Sequence, residues 1–160
     1  MTVDEVFDAV VGLSSPLITI TGGEPLLQSE VYPLVDKLLS AKYRVLVETN
    51  GSLPVDNLPR DAVRVLDLKC PGSGMCEKMD WNNIDKLREC DEVKFVIGSR
   101  ADYDWAKSVE ERYGLSAKMT VLMSAAWGKM VIDKVAGWML ADDLNVRIQP
   151  QLHRYIDFGL

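Results

Sequence analysis

Apolar residues at Val3, Val6, Phe7, Val10 and Val11 recur at the helical interval, and Thr2 with Glu5 has the form of a capping box, so Val3–Val11 is expected to be a helix. The run Leu17–Ile20 reads as a short strand. Val31, Leu34, Val35, Leu38 and Leu39 restore the helical interval over residues 31–39. Residues 43–47, Val63–Leu68, Glu92–Ile97, 118–123 and 146–149 are strand-like, rich in β-branched positions. Between them, residues 83–88 suggest a short helix. Residues 103–113 predict a longer one stopped by Gly114, and residues 130–140 another. Trp105 and Trp138 fall on helical faces and are expected in the core. Strand and helix alternate nearly throughout, the pattern of parallel strands joined by crossover helices, so the class is α/β.

The sequence has 160 residues, enough for a single domain over 1–160 with one core. No apolar run is long enough to cross a bilayer. The formal charge is −6 with no Lys/Arg cluster, which argues against broad electrostatic binding to nucleic acid. The cysteines are Cys70, Cys76 and Cys90. Their wide, uneven spacing reads as free thiols in a reducing cytoplasm rather than as a metal site.

In parallel α/β folds, ligands sit beyond the carboxyl ends of the strands. Polar clusters of this chain fall there: residues 21–24, 48–50, 67–69, Ser124 and 149–153. Together they predict one shared site. The most informative is Thr21-Gly22-Gly23-Glu24-Pro25, a double-glycine turn directly after a strand. Such a turn lets backbone carbonyls approach an ammonium group, and Glu24 adds a carboxylate. Read blandly, the same residues close a loop and start a helix.

Five ordered segments resemble one family: residues 20–28 (Ile-Thr-Gly-Gly-Glu-Pro-Leu-Leu-Gln), 47–52 (Val-Glu-Thr-Asn-Gly-Ser), 67–74 (Asp-Leu-Lys-Cys-Pro-Gly-Ser-Gly), 91–97 (Asp-Glu-Val-Lys-Phe-Val-Ile) and 147–153 (Arg-Ile-Gln-Pro-Gln-Leu-His). The family is 7-carboxy-7-deazaguanine synthase, of the radical S-adenosylmethionine (SAM) superfamily. The resemblance implies an incomplete, mostly parallel (β/α) barrel-like sheet and a homodimer in the cytoplasm. It also implies ring contraction of 6-carboxy-5,6,7,8-tetrahydropterin with loss of ammonia, on the way to queuosine. SAM, a [4Fe–4S] cluster and Mg2+ take part, and the 5′-deoxyadenosyl radical abstracts a substrate hydrogen.

Carried over by residue, the resemblance puts Gly22, Gly23 and Glu24 at the SAM amino group, and Asp67, Lys69 and Ser124 elsewhere along SAM. Thr21 would face substrate, and Glu48, Thr49 and Asn50 would reach substrate or the SAM ribose. Gln149, Gln151 and His153 recur at an interval of two, so on an extended strand they share a face suited to a pterin amide edge. The carboxylate of Leu160 would close over substrate. Each has a plainer alternative: strand packing for Thr21, Asn-Gly turn chemistry for Asn50, a solvated pair for Asp67 and Lys69, a turn hydroxyl for Ser124, a structural hydrogen bond for His153.

The chain departs from the family at one point. Three closely spaced cysteines should bind the cluster, and Cys70 and Cys76 match neither the spacing nor the strand. No residue is therefore assigned to metal binding or to catalysis. The expectation is that the first strand and its cysteine loop are missing, the N-terminus being lost, with residues 1–6 resembling the internal start of the family helix that precedes the Gly-Gly-Glu-Pro strand. The chain by itself would then be inactive. Leu17–Ile20 would be an open edge inviting association. The competing readings are a non-catalytic SAM- or pterin-binding paralogue and an unrelated nucleotide-binding α/β protein.

Overall fold

The computed structural model describes residues 1–154; residues 155–160, Leu160 included, and the His153 side chain lie outside the described residues. Among the described residues, six strands and four α-helices follow in the order α1 (Val3–Val11), β1 (Leu17–Ile20), α2 (Val31–Ser40), β2 (Arg44–Thr49), β3 (Val63–Leu68), β4 (Glu92–Ile97), α3 (Arg100–Tyr113), β5 (Thr120–Ala125), α4 (Ile132–Ala141) and β6 (Arg147–Ile148), with no α-helix between β2 and β3 or between β3 and β4. Within each of the chain's two compact units, strand order follows chain order. The α/β class and the parallel pairing expected from the sequence are both present.

The contacts group into two compact units, Met1–Leu66 with Asp80–Leu87, and Asp67–Met79 with Arg88–Leu160. In the first, β1 pairs parallel with β2 (Leu17 opposite Arg44) and β2 with β3 (Leu46 opposite Val63). In the second, β4 pairs parallel with β5 (Glu92 opposite Thr120) and β5 with β6 (Leu122 opposite Arg147). Every residue of β3 is buried, as a parallel strand covered on both faces requires. Strand β1 differs: none of its residues is buried, and among the described residues it pairs with β2 alone.

Several boundaries differ from the sequence reading, each for a local reason. Helix α3 begins a turn early because the Ser99 hydroxyl accepts the Asp102 amide and caps it. Strand β5 begins two residues late because Leu115 O accepts the amides of Lys118 and Met119 in a tight turn. Residues 81–86 form a 3₁₀ turn, Trp81–Lys86, capped by the Asp80 carboxylate. Strand β6 is only Arg147–Ile148, since Pro150 has no amide to extend the ladder. Trp105 and Trp138 are half-buried rather than core residues. Trp105 meets the Phe95 ring edge-on at 6.2 Å, and Trp138 lies 5.3 Å from the Tyr103 ring with the Arg100 guanidinium over it at 4.9 Å.

Candidate functional site

In the first unit the double-glycine turn leaves the carboxyl end of β1. Gly22 has φ +149°, and a Cβ built on Gly22 or Gly23 would meet nothing within 4 Å. Both glycines are exposed, so the turn presents bare backbone to open space. Thr21 lines an adjoining groove of about 260 Å³ with Val3, Val6, Ile20, Pro25 and Val31.

Glu24 has a different environment from its neighbours. It is 8% exposed, and three donors of its own chain converge on it. Its Oε1 accepts the Leu26 amide (3.0 Å) and the Thr49 hydroxyl (2.8 Å), and its Oε2 accepts the Asn50 amide (2.7 Å). The carboxylate thus starts the 3₁₀ turn Pro25–Leu27 and ties it to the end of β2. In this arrangement the acid holds the turn, and the open part of the motif is the Gly22–Gly23 backbone.

Residues 48–50 are drawn apart. Thr49 is buried with its hydroxyl on Glu24, while Glu48 lies on the opposite face of β2, half-buried. Asn50 Oδ1 accepts the Ser52 amide (2.9 Å) and Gly51 has φ +73°, so turn chemistry is present at Asn50 in addition to the Glu24 tie. A residue the sequence reading passed over anchors this loop. Asn83, fully buried, donates from Nδ2 to Gly51 O (3.1 Å) and Leu53 O (2.9 Å), and accepts the Val55 amide on Oδ1 (3.2 Å). No sequence pattern marks a single Asn in a 3₁₀ turn as a loop anchor.

In the second unit, Asp67 and Lys69 at the end of β3 form an ion pair, Lys69 Nζ to Asp67 Oδ2, 2.5 Å. Asp67 is 6% exposed, and its Oδ1 is buried without a hydrogen-bond partner among the described residues. A buried carboxylate oxygen left so is costly unless a donor arrives. The following loop is tied down by Asp102, whose Oδ1 accepts the Gly72 amide (2.8 Å) and whose Oδ2 accepts the Ser99 hydroxyl (3.0 Å) and the Gly98 amide (3.2 Å). Here the sequence did carry a pattern, since Ser99-x-x-Asp102 has the spacing of a helix cap.

Ser124, buried on β5, donates its hydroxyl to Gln149 O (2.6 Å), while the Gln149 amide donates to Met123 O (2.9 Å). The chain then leaves the extended conformation. Leu152–Arg154 is a 3₁₀ turn, closed by the Arg154 amide on Gln151 O. The alternation that would align Gln149, Gln151 and His153 therefore ends at Pro150. Gln149 is exposed and Gln151 half-buried.

The thiols available to a metal are those of the three cysteines. Cys70 is buried, and burial, with Asp102 and Asp67 adding to it, pushes its thiol up to about 12. Cys76 is half-buried with its thiol also raised, chiefly by desolvation, and Cys90 is exposed. Among the described residues no three His, Cys, Asp or Glu side chains stand together as a metal site. A cluster needs thiolates in close array, and these residues do not fit one. No helix among the described residues is long and apolar enough to cross a membrane.

No family model matches the chain. Curated relatives do. A protein named 7-carboxy-7-deazaguanine synthase from Koribacter versatilis is 40% identical over 98% of this chain and 76% of its own length. One of the same name from Chlorobaculum tepidum is 40% identical over 98% and 72%, and one from Methanospirillum hungatei is 37% identical over 98% and 65%. Among solved structures, QueE from Escherichia coli superposes with a TM-score of 0.73 over 94% of this chain and 64% of that one, at 16% identity. Streptococcus suis SuiB gives 0.63 over 94% and 43%, at 12% identity. At these identities the structural likeness is one of fold alone, and the chain spans less than two thirds of either solved chain. The sequence relatives carry the assignment: the chain belongs to the 7-carboxy-7-deazaguanine synthase family.

Proposed function

We propose that this chain carries the SAM-binding and pterin-binding part of a 7-carboxy-7-deazaguanine synthase of queuosine biosynthesis. The family reaction is the radical SAM ring contraction of 6-carboxy-5,6,7,8-tetrahydropterin. The observation that carries the reading is the exposed Gly22–Gly23 backbone, held by the triply bonded Glu24 carboxylate, in a chain of this family. Carbonyls of that turn receive the SAM amino group. Asp67 offers its unpartnered Oδ1 to a ligand donor, and Lys69 keeps the neighbouring oxygen neutralised. Ser124, Thr21, Glu48, Gln149, Gln151 and His153 are the remaining candidates for ligand contact.

SAM, when bound, supplies the 5′-deoxyadenosyl group of the family chemistry. Among the described residues no set of side chains stands together to hold a cluster, so what these residues supply is ligand binding. By itself the chain binds and does not catalyse, the state of a non-catalytic binding module. Titration calorimetry with SAM and with 5′-methylthioadenosine, which lacks the amino-acid head, tests the reading. Saturable SAM binding at least about tenfold tighter than the analogue is expected. Equal affinity for the two would remove the turn's role, and no binding of either would remove the assignment.

A further inference from the structure

The hydrogen bonds that hold the double-glycine turn do not end at Glu24. Its Oε1 partner, the Thr49 hydroxyl, also accepts the Gly51 amide at 3.2 Å, and its Oε2 partner is the Asn50 amide. Gly51 is fixed from the other side: its carbonyl accepts the Asp80 amide (2.8 Å) and Asn83 Nδ2 (3.1 Å). Its φ of +73° favours glycine, and a Cβ there would stand 2.9 Å from a Leu66 methyl, which would have to shift. Asn83 closes the system by using both donors of its amide and its acceptor on the loop 51–55, without exposure to solvent. An amide is the only uncharged side-chain group able to meet two carbonyls and one N–H from a single carbon.

We infer that Asn83 is a positioning residue for the ligand turn, fixing the Thr49–Gly51 backbone that binds Glu24 and through it the Gly22–Gly23 peptide groups. This rests on the reading that the turn receives SAM. Asn83 touches no ligand. It removes the freedom of the β2 loop, so that the Glu24 donors are in place before a ligand arrives, and binding then orders less of the chain. A buried network of this kind is informative because loss of one member leaves the others unpaired.

The test uses the whole chain labelled with ¹⁵N and three variants: Asn83→Ser, Asn83→Asp, and Val35→Ala as a stability control in the α2 core. Amide exchange is read at Leu26 and Asn50, the two amides on Glu24, and SAM affinity is read by calorimetry. Both Asn83 variants should speed exchange at these amides by about tenfold more than the control does. SAM affinity should fall by about tenfold relative to the control. Unchanged exchange, or a loss of affinity equal to that of Val35→Ala at matched stability, overturns the inference. Should Asn83→Ser fail to fold, Asn83→Asp keeps the size and one acceptor and is read in the same way. Failure of the unaltered chain to bind SAM overturns the reading of the turn instead, and exchange alone then decides whether Asn83 positions it.

Discussion

Gly22 and Gly23 are neighbours with different reasons to be glycine, and substitution separates them. Gly22 sits at φ +149°, where an L side chain is strained although the space around it is open. Gly22→Ala should therefore destabilise the free chain by about 1–3 kcal/mol, read from urea unfolding. Gly23 has no such backbone requirement, and a methyl there meets nothing within 4 Å. Gly23→Ala should leave unfolding unchanged and yet weaken SAM binding, because the methyl occupies space only a ligand would use. A Gly23→Ala chain that unfolds normally and binds SAM normally would show that this peptide is not where the ligand lies. The same contrast marks what was legible at this scale. The sequence pointed to the turn; it did not reveal that Glu24 faces inward. Inward orientation depends on Thr49 and Asn50, which are 25 or 26 residues away and reach Glu24 only once β1 and β2 pair.

Between elements, the link of α3 to α4 makes a pH prediction. The Tyr103 hydroxyl donates to Asp142 Oδ2 (2.8 Å) and Lys107 Nζ lies 3.1 Å from Oδ1. The Tyr103 hydrogen bond first, then that of Lys107, holds the Asp142 carboxyl below its ordinary value of 3.8. A carboxyl lowered in the folded state contributes stability above its ordinary value, and the contribution is lost as pH falls through the folded value. Asp142→Asn should thus melt a few degrees below the unaltered chain at pH 6, and the two melting curves should converge below about pH 4. A gap that persists unchanged to pH 2 would mean that charge at Asp142 contributes nothing. Element identities were largely readable because hydrophobic period separates helix from parallel strand, as at α1 and β3. Ends were less so. The α3 start depends on a cap, the β5 start on the turn at Leu115, and the close of β6 on Pro150, all local features that periodicity does not report.

For the molecule as a whole, the family relation and the donor inventory pull in different directions. Relatives at 40% identity place the chain in the 7-carboxy-7-deazaguanine synthase family, while no three metal-ligating side chains stand together among the described residues and the Cys70 thiol is pushed up to about 12 by burial. A thiol so raised is protonated at neutral pH and is a poor ligand until deprotonated. Ligand binding and electron delivery should therefore separate in this chain. After anaerobic incubation with iron, sulfide and reductant, the 160 residues should take up less than one cluster equivalent and show no charge-transfer absorbance of a [4Fe–4S] centre. With dithionite and SAM they should release no 5′-deoxyadenosine, while still binding SAM by calorimetry. Stoichiometric cluster uptake would show that Cys70, Cys76 and Cys90 rearrange to ligate, and the inactivity argued from their separation would be wrong. The edge of β1, exposed at Leu17 and paired with β2 alone among the described residues, is open to pairing with an added strand.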